Sequence, residues 1–279
     1  GPASAGSVGG GGIISFGATF LATTSGAFTA SGDGRFGARG VSLSNVNSFG
    51  TLTANGTGRV TGIQLTGNVS GPDILLTGVG TETANTGQGI GVLYSGNIAA
   101  SGNLSINATG AKSYGFSSIR ALSAGTGLSI VATSVGNQAV CTTGSYTVSN
   151  GPLTIRGTSS ALATGVSVLN ISGATMSASS ILIESCSSGV NANIAMTSSG
   201  NITVRSDTGD AVVKNVTLSG ANSTLTVAAG TASAAGTVTG GNVSFTGGAG
   251  ALNLGASGTL VVLSGNYANT STATLDGLV

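Results

Sequence analysis

The chain has 279 residues with 8 basic, 7 acidic, 50 glycine and 3 proline residues, and it lacks histidine and tryptophan. A soluble globular domain carries about 25% charged residues and about 7% glycine, so an ordinary globular composition is excluded. Collagen is excluded because Gly has no three-residue period. A solvated disordered chain does not fit 40% hydrophobic residues, and eight scattered cations make no nucleic-acid stripe.

Gly1-Pro2 matches the scar of a tag-cleaving protease, and the glycine-rich start from Ser4 to Gly12 has neither a basic n-region nor an apolar core. The chain is therefore expected to be an internal piece of something longer. Residues 3–40 are expected to hold irregular N-terminal coils or a cap. Ile14-Ser15-Phe16 alternates like a strand, but the span up to Val41-Ser42-Leu43 aligns poorly, and Phe16, Phe20, Phe28 and Phe36 crowd into it. Gly32-Asp33-Gly34, with Arg35 and Arg39, reads as a plain turn, since one carboxylate is too few for a tight Ca²⁺ site.

From 41 to 279 the chain reads as one continuous shaft without a linker. An apolar–polar–apolar element opens at Leu52, Ile74, Leu104, Leu128, Leu153, Ile181, Ile202, Leu225 and Leu252, in steps of 22, 30, 24, 25, 28, 21, 23 and 27 residues. Further elements of the same kind lie between, such as Ile63-Gln64-Leu65, Val166-Ser167-Val168 and Val216-Thr217-Leu218. The long steps point to inserted corners, notably Val79–Gln88. Alternation with a period of two means strands. Strands of about three to five residues between Gly, Asn and Ser corners cannot stand as isolated hairpins. Two or three of them per repeat fit one coil of a solenoid.

The expected fold is all-β: a right-handed parallel β-helix of about 9–11 coils of roughly 25 residues. At the ~4.8 Å strand spacing it makes a rod of roughly 40–50 Å. Leu104, Leu128, Leu153, Ile181, Ile202 and Leu225 are expected to stack inward in one column. Corner Gly and Asn are expected to supply positive φ. The low charge follows, because like residues stack on neighbouring coils and like charges would repel.

The units GNLSINATG (102–110), GVSVLNISGATMSASSILIESCSSGV (165–190) and GNITVRSDTGDAVVKNVTLSGA (200–221) resemble shaft repeats of filamentous-haemagglutinin-like exoproteins of bacterial two-partner secretion. That group includes adhesins and the sticks of contact-dependent growth-inhibition toxins, and the similarity covers roughly residues 40–260. The Asn-Pro-rich motifs of the family's secretion domain and a toxin-like C-terminal region are both absent. The resemblance implies a secreted, cell-surface shaft that serves attachment or displays a binding or toxin region. It implies as partners a receptor or glycan on a host or neighbouring cell, and an outer-membrane secretion partner for the parent protein. Some high-molecular-weight adhesins of the group are N-glycosylated, which bears on ten N-x-[ST] sequons here: Asn55, Asn68, Asn103, Asn107, Asn170, Asn201, Asn215, Asn222, Asn242 and Asn269. The alternative for them is corner asparagines in strand–turn ladders.

Little in the chain carries chemistry. Without histidine the commonest general base and metal ligand is missing. Asp207-Thr208-Gly209 matches one half of an aspartic-protease pair, which needs a second such aspartate, so a solvent-facing corner is expected. Parallel β-helices include polysaccharide lyases and glycosidases, and Glu184 with Asp207 and Asp210 could bring two carboxyls within the ~5–10 Å a glycosidase needs. Only Arg205 and Lys214 lie nearby, with no Trp platform, so an enzyme is not expected and no catalytic, cofactor or metal residue is assigned. Cys141 and Cys186 fall about two coils apart, roughly 10 Å along the axis, and are expected to be buried free thiols; a disulfide through a folded-back corner is the alternative. T-x-T triplets at 51–53, 81–83, 237–239 and 270–272 keep no constant period, against an ice-binding array. No uninterrupted apolar run of about 18 residues, the length a membrane-spanning helix needs, occurs in the sequence. Three readings compete: a shaft segment, a receptor- or glycan-binding module in its own right, and a polysaccharide-active enzyme.

Overall fold

The computed structural model describes residues 14–15, 20–22, 26–35, 38–84, 88–160, 164–169, 173–186, 188–232, 238–239, 241–264 and 266–267. Among them every regular element is a strand. Ten strands form one wholly parallel sheet: Phe28–Gly34, Leu52–Gly58, Ile74–Gly80, Asn103–Gly110, Gly127–Ser134, Pro152–Ser159, Ser180–Ser185, Ile202–Ser206, Thr224–Ala229 and Thr259–Ser264. We call it the long-strand sheet.

Between successive long strands the chain makes two further strands and returns. After Leu52–Gly58 these are Thr61–Leu65 and Val69–Gly71, before re-entry at Ile74. The first of the two stacks on its equivalents through Val41, Ile63, Val92, Phe116, Val140 and Val166. The second does so through Val46, Val69, Ile98, Leu122, Tyr146 and Met176. Further along, Gly189–Ser198 and Ala211–Leu218 each run unbroken through both positions. The fold is thus a parallel β-solenoid with three strand positions per coil. The ten long strands span about 43 Å along the axis at ~4.8 Å each.

The core is a set of aliphatic columns. Leu104, Leu128, Leu153, Ile181, Ile202 and Leu225 are consecutive partners and all buried, as expected. The column extends to Phe28, Leu52 and Ile74 on one side and to Leu260 on the other. Each side chain is covered by the like residue of the coils above and below, so burial is a property of stacking.

Leu252 corrects the expected frame. It pairs with Val216 in the second short-strand position, and Leu225 is followed in the column by Leu260. The chain between them contains an extra antiparallel pairing, Thr231–Ala232 with Val238–Thr239. Leu252-Asn253-Leu254 has the same apolar–polar–apolar face as a long strand, so the insertion shifts the frame without changing the local pattern.

Most long strands exceed the expected three to five residues; Asn103–Gly110 and Pro152–Ser159 have 8 each, while Ile202–Ser206 has 5. Their second halves point inward with Gly, Ala and Ser, which carry no apolar signal: Gly56 and Gly58, Gly78 and Gly80, Ala108 and Gly110. The reason is a narrow edge, where the long-strand sheet lies backbone to backbone against the next strand. A Cβ on Gly56 would come 2.2 Å from the Gly62 carbonyl oxygen. The expected role of corner glycine changes accordingly. Among the described residues positive φ occurs at Asn45, Asn222 and five glycines, whereas Gly56, Gly62 and Gly78 are required by close approach.

Within 3–40, the strands Ile14–Ser15, Phe20–Ala22 and Phe28–Gly34 pair parallel with Val41-Ser42, Val46–Ser48 and Leu52–Gly58, as one coil. Phe16 and Phe36 lie outside the described residues. Gly32-Asp33-Gly34 closes a strand and is not a turn.

Inward hydroxyls end the columns and satisfy turn carbonyls: Ser48 Oγ donates to Gly50 O at 2.7 Å, and Ser159 Oγ to Asn137 O at 2.7 Å. Tyr146 is fully buried with its hydroxyl against Thr142 Oγ1. Burial pushes the Tyr146 phenol well above its ordinary range, and the Thr142 hydroxyl offsets only part of that. Below pH ~10 the phenol is protonated in both folded and unfolded chains, so its contribution is complete; above pH ~10 only the unfolded chain releases the proton. Stability should therefore fall as pH rises past about 10, and Tyr146→Phe should blunt that fall in urea titrations at pH 9 to 12. An unchanged pH slope in the variant would contradict this.

Candidate functional site

The carboxylates considered for catalysis are placed on the outside of the solenoid. Glu184 lies on the outward side of strand Ser180–Ser185, in register with Arg156 on one neighbouring strand and Arg205 on the other. Its Oε1 meets Arg205 Nη2, and its Oε2 is 2.6 Å from Arg156 Nε, off the direction of a good hydrogen bond. The two guanidinium groups are half-exposed while the carboxylate between them is only 5% exposed. Asp207 and Asp210 flank the bend after Ile202–Ser206, the corner expected there. Asp210 Oδ1 accepts the main-chain N–H of Asn242 at 2.7 Å. Glu184 is therefore engaged by two arginines and Asp210 by the next coil.

This triad sets a stability expectation. Deleting the carboxylate leaves two cations in one column. The cost should lie between the ~0–1 kcal/mol of an exposed pair and the ~3–5 kcal/mol of a broken buried one. Glu184→Ala should thus lose on the order of 1–2 kcal/mol in urea denaturation. A loss below experimental error would mean the triad is idle.

The remaining sequence candidates are dispersed. Asp33 pairs with Arg35, Oδ2 to Nη2 at 2.5 Å, and this hydrogen bond holds the Asp33 carboxyl below its ordinary range. Both cysteines are free, as expected, but they are not both buried: Cys141 is half-buried and Cys186 exposed. Cys186 follows the end of strand Ser180–Ser185, at the corner, which explains its exposure. Burial pushes both thiols up, and beside Cys186 the Glu184 and Asp207 carboxylates push further. Among the described residues no three His, Cys, Asp or Glu gather as a metal group, and no helix is long and apolar enough to cross a membrane.

Several sequon asparagines belong to ladders. Asn68 Oδ1 accepts the Asn97 N–H at 3.1 Å, and Asn201 Oδ1 accepts the Thr224 N–H at 2.9 Å. Asn103 Oδ1 accepts the Thr126 hydroxyl at 3.1 Å. Asn55 and Asn107 are exposed on the outward face of the long-strand sheet. Asn170 and Asn269 lie outside the described residues.

The sequence reading missed one surface feature. At the corner joining the two short-strand positions, the tripeptides Thr66-Gly67-Asn68, Ser95-Gly96-Asn97, Ile119-Arg120-Ala121 and Thr143-Gly144-Ser145 lie on successive coils and line two adjoining open hollows, which share Asn97 and Arg120. Arg120 occupies the position that is glycine on the flanking coils. A Cβ on Gly96 would come 2.1 Å from Gly67 O, and one on Gly144 would come 1.7 Å from Arg120 O. The Thr/Ser-Gly-Asn/Ser recurrence is the sequence signal that could have revealed this trough.

Compared with known proteins, the chain matches no family model, no curated protein and no solved structure.

Proposed function

We propose that this chain is a shaft segment of an exported cell-surface filament, which serves attachment or carries a binding or toxin region away from the cell. The observation that carries the reading is the uninterrupted stack of ten long strands whose interior is filled by side chains. Such a stack lengthens by adding coils, and length is what a surface stick requires. The repeats resembling filamentous-haemagglutinin-like shafts agree with it, as do outward columns rich in Ser, Thr and Asn. We propose no catalytic role, because Glu184 and Asp210 are already engaged.

The test is location. Protease shaving and antibody labelling of intact producing cells should find this segment outside the cell. Detection only after lysis would overturn the reading. As a check on catalysis, replacing Glu184, Asp207 and Asp210 together should change no polysaccharide-degrading activity; hydrolysis or lysis lost in that variant would restore the enzyme reading.

The second reading, a glycan-binding module, is favoured by one observation: the trough around Arg120 at the corner between the short strands.

A further inference from the structure

We propose that this trough binds an acidic, carboxylate-bearing oligosaccharide laid along the axis of the solenoid. The inference rests on the surface-exposed reading above only for where the ligand would be met.

The trough follows the corner across the coils from Asn45 to Ser145. Its floor is backbone, because Gly67, Gly96 and Gly144 leave no room for a Cβ. Five coils at ~4.8 Å give it a length of about 20 Å. A floor bare at Gly96 and Gly144, on either side of Arg120, lets an extended polymer lie close to main-chain and amide groups.

The walls are donors. Asn45 Oδ1 accepts the Asn68 N–H at 3.3 Å and Asn68 Oδ1 accepts the Asn97 N–H at 3.1 Å. With each carbonyl turned to the next coil, the Nδ2 group of the same exposed amide remains to donate outward. Arg120 is fixed through Nε, which donates to Ser95 O at 3.3 Å, leaving its terminal N–H groups to meet a ligand. No Asp or Glu is among the described lining residues, so the cation is unneutralised there. Ile119, 60% exposed beside Arg120, offers an apolar patch for the C–H face of a sugar ring.

Neutral sugars would use the amides but leave the guanidinium without an anion. An acidic peptide would use the guanidinium but has no regular hydroxyls for the amide row. A uronate chain supplies both, together with a sugar repeat comparable to the coil spacing. Losing a charged hydrogen bond to the guanidinium should change affinity at least tenfold, equivalent to about 1.4 kcal/mol.

The experiment is titration of the full chain with a short oligogalacturonate, with a malto-oligosaccharide and an oligoglutamate of similar length as controls. Binding is followed by calorimetry in low and high salt. The expected result is preference for oligogalacturonate, weakened about tenfold or more by Arg120→Gly. That variant installs the residue its column already carries and should fold, as circular dichroism can verify; Arg120→Lys should retain part of the binding. Asn68→Ala should weaken binding without altering its salt dependence. Absence of oligogalacturonate binding in low salt, equal binding by Arg120→Gly, or equal affinity for oligoglutamate would overturn the proposal. Because the assay uses purified protein, it can fail while the cell-surface location holds, and the reverse.

Discussion

Gly78→Ala should be among the most damaging single-methyl changes in this chain. The added Cβ would lie 2.2 Å from the Gly91 carbonyl oxygen and 2.6 Å from Val92 Cγ2. Its φ is not in the left-handed region, so the penalty is steric. The strand cannot retreat, since it is paired on both sides, through Gly56 and Ala108. Overpacking typically costs about 1–3 kcal/mol, and a backbone obstacle places this case at or above the top of that range. Gly157→Ala provides the comparison: its Cβ would meet Val166 Cγ2 at 2.4 Å, a side-chain atom that can move. Gly78→Ala should therefore lower stability more than Gly157→Ala in thermal and urea unfolding. The opposite order would mean that the narrow edge is more pliable than its geometry implies.

Ile202→Ala should cost about 2–5 kcal/mol, from lost burial and the cavity left behind. Ile202 is fully buried between Ile181 and Leu225 in the central column. Damage should concentrate in neighbouring coils, because each coil is supported only by those next to it. Hydrogen exchange would read this as faster exchange in Ser180–Ser185 and Thr224–Ala229 than in Leu52–Gly58. Leu75→Ala, at a 43% exposed outward position beside Ile74, should change stability by no more than about 0.5 kcal/mol. Equal losses at 202 and 75 would contradict the inward and outward assignment.

The contrast between these sites explains what could be read from the sequence. The column through Leu104, Leu153 and Ile202 is legible because bulky aliphatics alternate with Ser and Thr at a near-constant spacing. The narrow edge is not, because Gly56, Gly78 and Ala108 face inward where size is excluded, and small residues there resemble a corner. The frame slips at Leu252, since an inserted antiparallel pairing leaves the local alternation unchanged. Glu184 is visible as an acidic residue, but its partners Arg156 and Arg205 lie 28 and 21 positions away and meet it only through parallel register. The trough around Arg120 is written in the sequence only as four weak tripeptides on successive coils. Its glycines read as turn residues until stacking reveals them as a floor.

The role we propose, reach and surface attachment, is open to measurement on producing cells themselves. Producing cells would be compared for attachment with the segment intact, with residues 40–260 deleted, and with that deletion refilled by an unrelated solenoid of equal length. Deletion should reduce attachment, and refilling should restore the part due to length; any remaining deficit would mark binding by this segment itself. Attachment unchanged by deletion would contradict the account.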